Sequence, residues 1–329
     1  MSKVLLITNK SDVTTDFVVE KLKEKDIEFY RFNTEDLYTV VSFTFDFNNN
    51  KYLLYDNKKD IKINLLDFSS VYFRRPIIPT FSEDKSLTVG ERRFLQMEAY
   101  YTLEGLYKIL DRKFWISKVN AIRNTENKFF QLMLAKEIGF IIPQSLATNI
   151  PKKLNEFTKG KLCIIKPVHN GRVFNDKDLS VVYTSELHEG FDDESIQCST
   201  AYVQEKIDKK YDVRVTVVGK YFFATAIYSQ NVLETKVDWR KGNHNLRHER
   251  IKLPQEVEEK CLKLMSYLNL EYSAIDFVVD KQGNYYFLEI NPNGQWAWIE
   301  KQTGYNISGA LADLLGSKYF YKNHETFNK

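Results

Sequence analysis

Two acids stand where a hairpin would bring them face to face. The segment from Glu271 to Asp280 and the segment from Asn284 to Gly294 are strand-like runs flanking Lys281-Gln282-Gly283-Asn284, which is hairpin punctuation. A turn centred between Gln282 and Gly283 sets Asp276 directly across from Glu289. The two-residue pleat puts Asn291 on the face of Glu289 and sends Phe277, Val279, Leu288 and Ile290 to the other. Like charges opposed across a hairpin repel unless something compensates them. A divalent cation would do so, since two carboxylates and an amide oxygen are hard ligands of the kind Mg2+ takes. A solvated sheet face with a lysine nearby is the other account of Asp276, Glu289 and Asn291.

Several cations stand in unusual places. Lys128 lies in the first turn of a helix expected over about 125–138, with Thr125 as N-cap and Gly139 as C-cap. A cation there opposes the helix dipole. Lys166 ends the run Leu162–Lys166 and points into the polar loop His169-Asn170-Gly171-Arg172. Either could also be an ordinary surface lysine. The runs 201–207, with Gln204, Glu205, Lys206 and Ile207, and 211–215, with Asp212 and Arg214, alternate polar and apolar residues. That pattern half-buries charge, and a salt-bridged sheet face explains it as well. Arg74 and Arg75 end an apolar strand before Pro76, so they alternate faces and at least one turns inward or into a cleft. His244 and His248 have i, i+4 spacing without the glutamate of a zincin, and Walker, Rossmann and hydrolase-elbow motifs are missing.

The elements that must position these residues follow from periodicity. Strand Lys3–Thr8, a helix through Val13, Phe17, Val18 and Leu22, and strand Ile27–Phe32 make a βαβ start, which predicts a parallel sheet. Strands follow at 40–47, 51–55 and 70–74, and residues 84–110 read as one or two helices. After a boundary near 112 come strands at 114–116, 145–148, 161–166, 180–184, 201–206, 211–218 and 221–228. Helices at 151–158, 255–268 and about 306–315 accompany them, and strands 271–280 and 284–290 form the hairpin. The fold class is a mixture of α/β and α+β.

Composition narrows the partners. The 329 residues carry 47 Lys+Arg and 44 Asp+Glu, a net charge of +3, which argues against a protein living on nucleic-acid phosphates. With 43% hydrophobic residues, 13 Gly and 7 Pro, the chain is a packed globule rather than a low-complexity segment. The apolar run Val4–Ile7 is too short for a signal or membrane-spanning segment. Cys163, Cys198 and Cys261 have no metal-type spacing and read as reduced thiols of a cytoplasmic protein.

Taken in order, the pieces resemble the ATP-grasp fold. They are Lys128, GFIIP (139–143), IIKP with Lys166, VQEKI (203–207), YDVRV (211–215), Asp276 and LEINPNG (288–294). YFRRP (72–76), VDWRKGNHN (237–245) and NPNGQWAWIE (291–300) narrow the resemblance to the microviridin and plesiocin type of peptide-modifying ligases, the graspetide synthetases. The resemblance implies three units: an N-terminal pre-ATP-grasp domain over 1–112, a central subdomain over 113–200 and a C-terminal subdomain over 201–329. It implies ATP and Mg2+ as cofactors. Lys128 and Lys166 would contact phosphates, Glu205, Lys206 and Ile207 would form an adenine hinge mainly through backbone, and Asp212 would lie near the ribose or the hinge. Asp276, Glu289 and Asn291 would hold Mg2+.

By the same resemblance the enzyme phosphorylates a side-chain carboxylate of a ribosomally made precursor peptide, and a Ser/Thr hydroxyl or Lys amine of that peptide closes an ω-ester or ω-amide ring. Arg214 and Arg240, with Lys166, are then the candidates for steadying the reacting charge, because guanidinium stays charged and grips carboxylate or phosphate bidentately. Arg240 would also touch the nucleotide, and Arg74 and Arg75 would bind substrate further out. Family members are homodimers that recognise a helical leader before an acidic core. One departure is the single Gly171 after Lys166, where many ATP-grasp enzymes have a richer glycine loop over the phosphates. Trp296 and Trp298 are either core residues or neighbours of the site.

Overall fold

A computed structural model of the chain describes residues 3–169, 171–174, 179–187, 191–242 and 246–317. His244 and part of the loop after Lys166 lie outside the described residues. The chain opens with β1 (Lys3–Thr8), α1 (Val13–Glu24) and β2 (Glu28–Asn33), followed by the antiparallel strands β3 (Val41–Asp46), β4 (Lys51–Asp56) and β5 (Ile61–Asn64). Then come β6 (Ser70–Phe73), α2 (Val89–Ile109) and β7 (Phe114–Ile116). The first sheet has the order β2-β1-β6-β7 and is parallel throughout, as the βαβ start requires. α2 is a single helix, begun by a capping box between Thr88 and Glu91. β7, which follows the division expected at 112, pairs with β6 in this sheet.

The middle of the chain supplies α3 (Val119–Thr125), α4 (Lys128–Ile138), β8 (Ser145–Thr148), α5 (Pro151–Thr158) and β9 (Cys163–Lys166). After these come β10 (Arg172–Phe174), which pairs with β11 (Leu179–Val181), then β12 (Ser185–Leu187), α6 (Asp193–Cys198) and β13 (Ala201–Glu205). The central sheet is antiparallel, in the order β12-β9-β13-β8, so it includes a strand beyond residue 200. Of the strand expected at 180–184 only residues 180 and 181 are strand, as the end of β11; residues 182–184 connect it to β12.

The last part holds β14 (Lys209–Val218), β15 (Tyr221–Ile227), β16 (His248–Arg250), α7 (Gln255–Leu268), β17 (Tyr272–Asp280), β18 (Tyr285–Asn291), α8 (Ala297–Thr303) and α9 (Ile307–Gly316). Its antiparallel sheet runs β16-β15-β14-β17-β18. On β14, Val213, Val215 and Val217 join Leu264, Met265 and Leu268 of α7 in the main core, which leaves Asp212, Arg214 and Thr216 on the opposite face. Burial of three valines and one helix face thus aims the charged side chains at the site. α9 returns to the start of the chain: Leu311 and Leu315 pack with Val18 and Leu22 of α1, and Ser70 Oγ donates to Leu315 O at 2.8 Å. No helix among the described residues is long and apolar enough to cross a membrane.

Candidate active site

Three neighbouring strands carry the centre of the site in one cross-strand row. Arg214 on β14 pairs with Asp276 on β17, and Asp276 pairs with Glu289 on β18. The expected opposition of the two acids is met, by a route the sequence does not show. Nearer the turn the register differs by one, with Phe277 facing Phe287, so Leu288 is the extra residue of a β-bulge. A bulge re-aims side chains. Leu288, expected on the far face, lines the cleft instead, while Phe277, Val279 and Ile290 lie in the core as expected.

The charges of the row are balanced by neighbours. Arg214 Nη1 donates to Asp276 Oδ2 at 2.6 Å, Lys128 Nζ lies 3.5 Å from Glu289 Oε2, and Asn291 Nδ2 bridges Asp276 Oδ2 (3.1 Å) and Glu289 Oε1 (3.3 Å). Burial pushes the Asp276 carboxyl up, and with the charge of Glu289 beside it this outweighs the pull of Arg214. Glu289 is half-buried, yet Lys128, Arg240 and Lys166 together hold it below the ordinary carboxylate range. Burial pushes the Lys166 ammonium down to about 8. The bland account of these acids as a solvated face fails, because Asp276 is only 9% exposed.

Lys128 reaches the row because α4 starts at it. The N-cap is Asn127, whose side chain accepts from the Phe129 and Phe130 amides at 3.0 Å. Thr125, expected in that role, instead ends α3, where its hydroxyl donates to Ala121 O. Gly139 closes α4 at φ 98°, as expected of a glycine C-cap.

Three cavities meet at the row, and Glu289 and Asn291 line all of them. The first, about 420 Å³, lies between the central and C-terminal sheets and is lined by every expected site residue except Arg74, Arg75 and Arg214. Lys128, Lys166 and Arg240 on its walls suit a polyanion, and Glu205–Ile207 form one edge. The Glu205 and Lys206 amides are already taken by Gln144 O and Leu162 O, both at 2.8 Å, so among the three the Ile207 N–H is the one left to meet a base. Asp212 is buried in the wall of the cleft, accepting from Lys209 Nζ at 2.7 and 2.8 Å and from Ser229 Oγ.

The second cavity, about 820 Å³, opens beside Asn9, Arg75, Ile122 and Glu126. The third, about 360 Å³, is walled by Arg75, Arg214, Arg240, Trp239, His248 and Trp298.

A divalent cation fits the centre. Asp276 Oδ1 is buried with no hydrogen-bond partner, an orphaned anionic oxygen of the sort a metal satisfies. Asp276 and Glu289 are the opposed carboxylates, and a half-turn of the Asn291 amide presents its oxygen instead of its nitrogen.

The family model of the MvdD pre-ATP grasp domain matches residues 3–123, and that of the RimK-like ATP-grasp domain matches residues 176–315. The chain is 30% identical to a RiPP-associated ATP-grasp ligase of Chryseobacterium gregarium, solved with ADP and a leader and core peptide, over 96% of each chain and with a TM-score of 0.88. The chain belongs to the RiPP-associated ATP-grasp ligases. Macrocyclase MdnC of Microcystis aeruginosa, solved with the precursor peptide MdnA, is 26% identical over 95% of this ligase and 99% of that chain, with a TM-score of 0.82. Macrocyclase MdnB of the same organism is 28% identical over 96% and 99%, with a TM-score of 0.79. Among curated proteins none matches.

One expected substrate residue of the ligase is not in a cavity. Arg74 is 1% exposed and bonds Asp12 Oδ1 (3.3 Å), Gly294 O (3.2 Å) and Gln295 Oε1 (2.8 Å). It is a strut between the first sheet and the loop after Asn291. Arg75, at φ 48°, lines the second and third cavities. Trp296 is a core residue, whereas Trp298 lies against Trp239, ring centroids 5.1 Å apart, at the third cavity. Sequence reasoning passed over Asp238, Lys209 and Gly294. Asp238 has a local signal in its residue type, an aspartate two residues before Arg240 and so able to accept the amide there, as it does; the contacts of Lys209 and Gly294 have none.

Proposed function

We propose that this ligase uses ATP to activate Asp or Glu side-chain carboxylates of a ribosomally made precursor peptide as acyl phosphates and closes ω-ester or ω-amide macrocycles with Thr/Ser or Lys. The observation that carries the reading is the meeting of a cation-walled, nucleotide-sized cleft with two further cavities at Glu289 and Asn291. Phosphoryl transfer needs such a junction, since donor and acceptor must lie in line across one set of charges. The peptides bound to the Chryseobacterium and Microcystis relatives support a precursor peptide as partner; the reading gives that peptide a leader helix and an acidic core.

In this reading Ile207 and the hinge hold adenine, and Lys128, Lys166 and Arg240 hold the phosphates. Asp276, Glu289 and Asn291 hold Mg2+, which when bound spreads the charge of the transferring phosphoryl group. Arg214 and Arg240, walls of the third cavity, orient the substrate carboxylate and steady the oxyanion that develops when the acceptor attacks. Arg75 steers an acidic core from the second cavity. The walls keep water from the acyl phosphate until the acceptor arrives. The reading includes a homodimer in the cytoplasm; the three free cysteines, two of them buried, suit a reducing compartment.

The test is mass spectrometry of acidic, Thr-, Ser- or Lys-containing precursor peptides incubated with the ligase, ATP and Mg2+. One water lost per ring, without cleavage and matched by ADP release, is the expected result. Turnover on free amino acids with no mass change in any peptide would replace the reading by a ligase joining a small carboxylic acid to an amine.

A further inference from the structure

Arg240 lines both the nucleotide cleft and the third cavity, so it stands where a terminal phosphate and an acyl acceptor would meet. Its side chain is long, and 51% of it is exposed. A free arginine in that position would sample many rotamers and lose their entropy on each engagement. One carboxylate removes that freedom. Asp238, 4% exposed, accepts from Arg240 Nε at 2.8 Å through Oδ1 and from Nη2 at 2.7 Å through Oδ2, the bidentate fork that fixes a guanidinium plane. Its Oδ1 also takes the Arg240 amide at 3.1 Å, and its Oδ2 takes the Thr184 amide at 3.3 Å. Thr184 precedes β12 of the central sheet and lines the same cleft. Lys209 Nζ, which ion-pairs with Asp212, lies 3.4 Å from Val237 O and supports the turn from beneath. The carboxylate therefore joins three things: the arginine, the turn that carries it and the segment that leads into β12 of the central sheet.

We propose that Asp238 is a positioning residue for phosphoryl transfer, aiming Arg240 at the terminal phosphate and tying that aim to the central sheet through the Thr184 N–H. The proposal rests on the nucleotide reading above and adds a residue to it. It differs from a merely structural role for Asp238 as the cap of a short turn, because a cap affects every ligand of the cleft alike, whereas an aimed Arg240 affects only a ligand with a terminal phosphate.

Dissociation constants for Mg·ADP and for the non-hydrolysable Mg·AMPPNP, measured by calorimetry on the wild-type chain, Asp238→Asn, Arg240→Gln and the double variant, separate the two. Asp238→Asn is expected to weaken Mg·AMPPNP about tenfold and leave Mg·ADP nearly unchanged, with the double variant no worse than Arg240→Gln, as for two residues acting as one unit. Equal loss for both nucleotides, or additive effects in the double variant, would overturn the proposal. Melting temperatures of the ligand-free variants are read alongside. If Asp238→Asn is too unstable to measure, Asp238→Glu, which keeps the charge and shifts the fork, is expected to show the same selectivity for the terminal phosphate. A wild-type chain that binds neither nucleotide would overturn the nucleotide reading itself, and the proposal with it.

Discussion

Glu289 is the residue on which the charges of the site converge: Lys128 at 3.5 Å, Asn291 at 3.3 Å and Asp276 across the strand. Glu289→Ala removes one of two opposed carboxylates, so Mg2+-dependent ADP release should fall by more than the roughly 10–100-fold typical of losing an outer-shell partner; a coupled ADP assay over a Mg2+ titration reads it. Unchanged release would sink the metal assignment. Lys166 carries its own prediction. Its ammonium titrates at about 8 instead of 10.5, so between those values the unfolded chain binds more protons than the folded one. The contribution of Lys166 to ligand-free stability therefore rises with pH through that window. A polyanion favours the protonated form, so Mg·ADP binding should take up a proton above about pH 8 and weaken as pH rises. Calorimetry in buffers of different ionisation enthalpy measures the uptake, and Lys166→Met should abolish it.

At the scale of elements, the site depends on where helices start and strands slip. Asn127→Ala removes the cap of α4 and should cost about 1 kcal/mol, with nucleotide affinity falling as Lys128 loses its placement; chemical denaturation and a binding titration check the two effects. Gly294 is a tighter constraint. A Cβ there would lie 2.5 Å from Ala274 Cβ and 2.8 Å from Arg214 Nη2, so Gly294→Ala should destabilise the fold by about 1–3 kcal/mol and disturb the Arg214–Asp276 pair, both readable by thermal melting and ADP release. Most long elements were legible because their periodicity is strong: α7 matches its expected range, and β17 and β18 lie within a residue of theirs. Some short ones, among them α6, β10, β16 and α8, were not, since three to seven residues give too few repeats to reveal a period; β7 and β8, equally short, nonetheless match the strands expected at 114–116 and 145–148. The bulge at Leu288 was illegible for another reason: no residue type in Phe-Leu-Glu marks it.

Across the whole molecule, the first sheet and the C-terminal unit share a polar joint and an apolar one. Arg74 bonds Asp12, Gly294 and Gln295, Thr14 Oγ1 donates to the same Gln295 at 2.9 Å, and α9 packs on α1. Arg74→Met leaves Asp12 buried without its cation and should cost about 3–5 kcal/mol, measured as a lowered midpoint in urea. A milder loss would mean that Thr8 and Thr15, which also donate to Asp12, satisfy it alone. The sequence by itself determined the βαβ start, the opposition of Asp276 and Glu289 and the order of motifs that marks an ATP-grasp ligase, because each is written in local periodicity or in residue types at short spacing. Tertiary structure alone decided that Arg74 is a strut while Arg75 reaches the cavities, that Trp296 is core while Trp298 lines a wall, and that Asp238 holds Arg240 against the central sheet. Those outcomes depend on which distant segment comes to lie against a side chain, such as Gly294 against Arg74 or Thr184 against Asp238, and packing between units sets that.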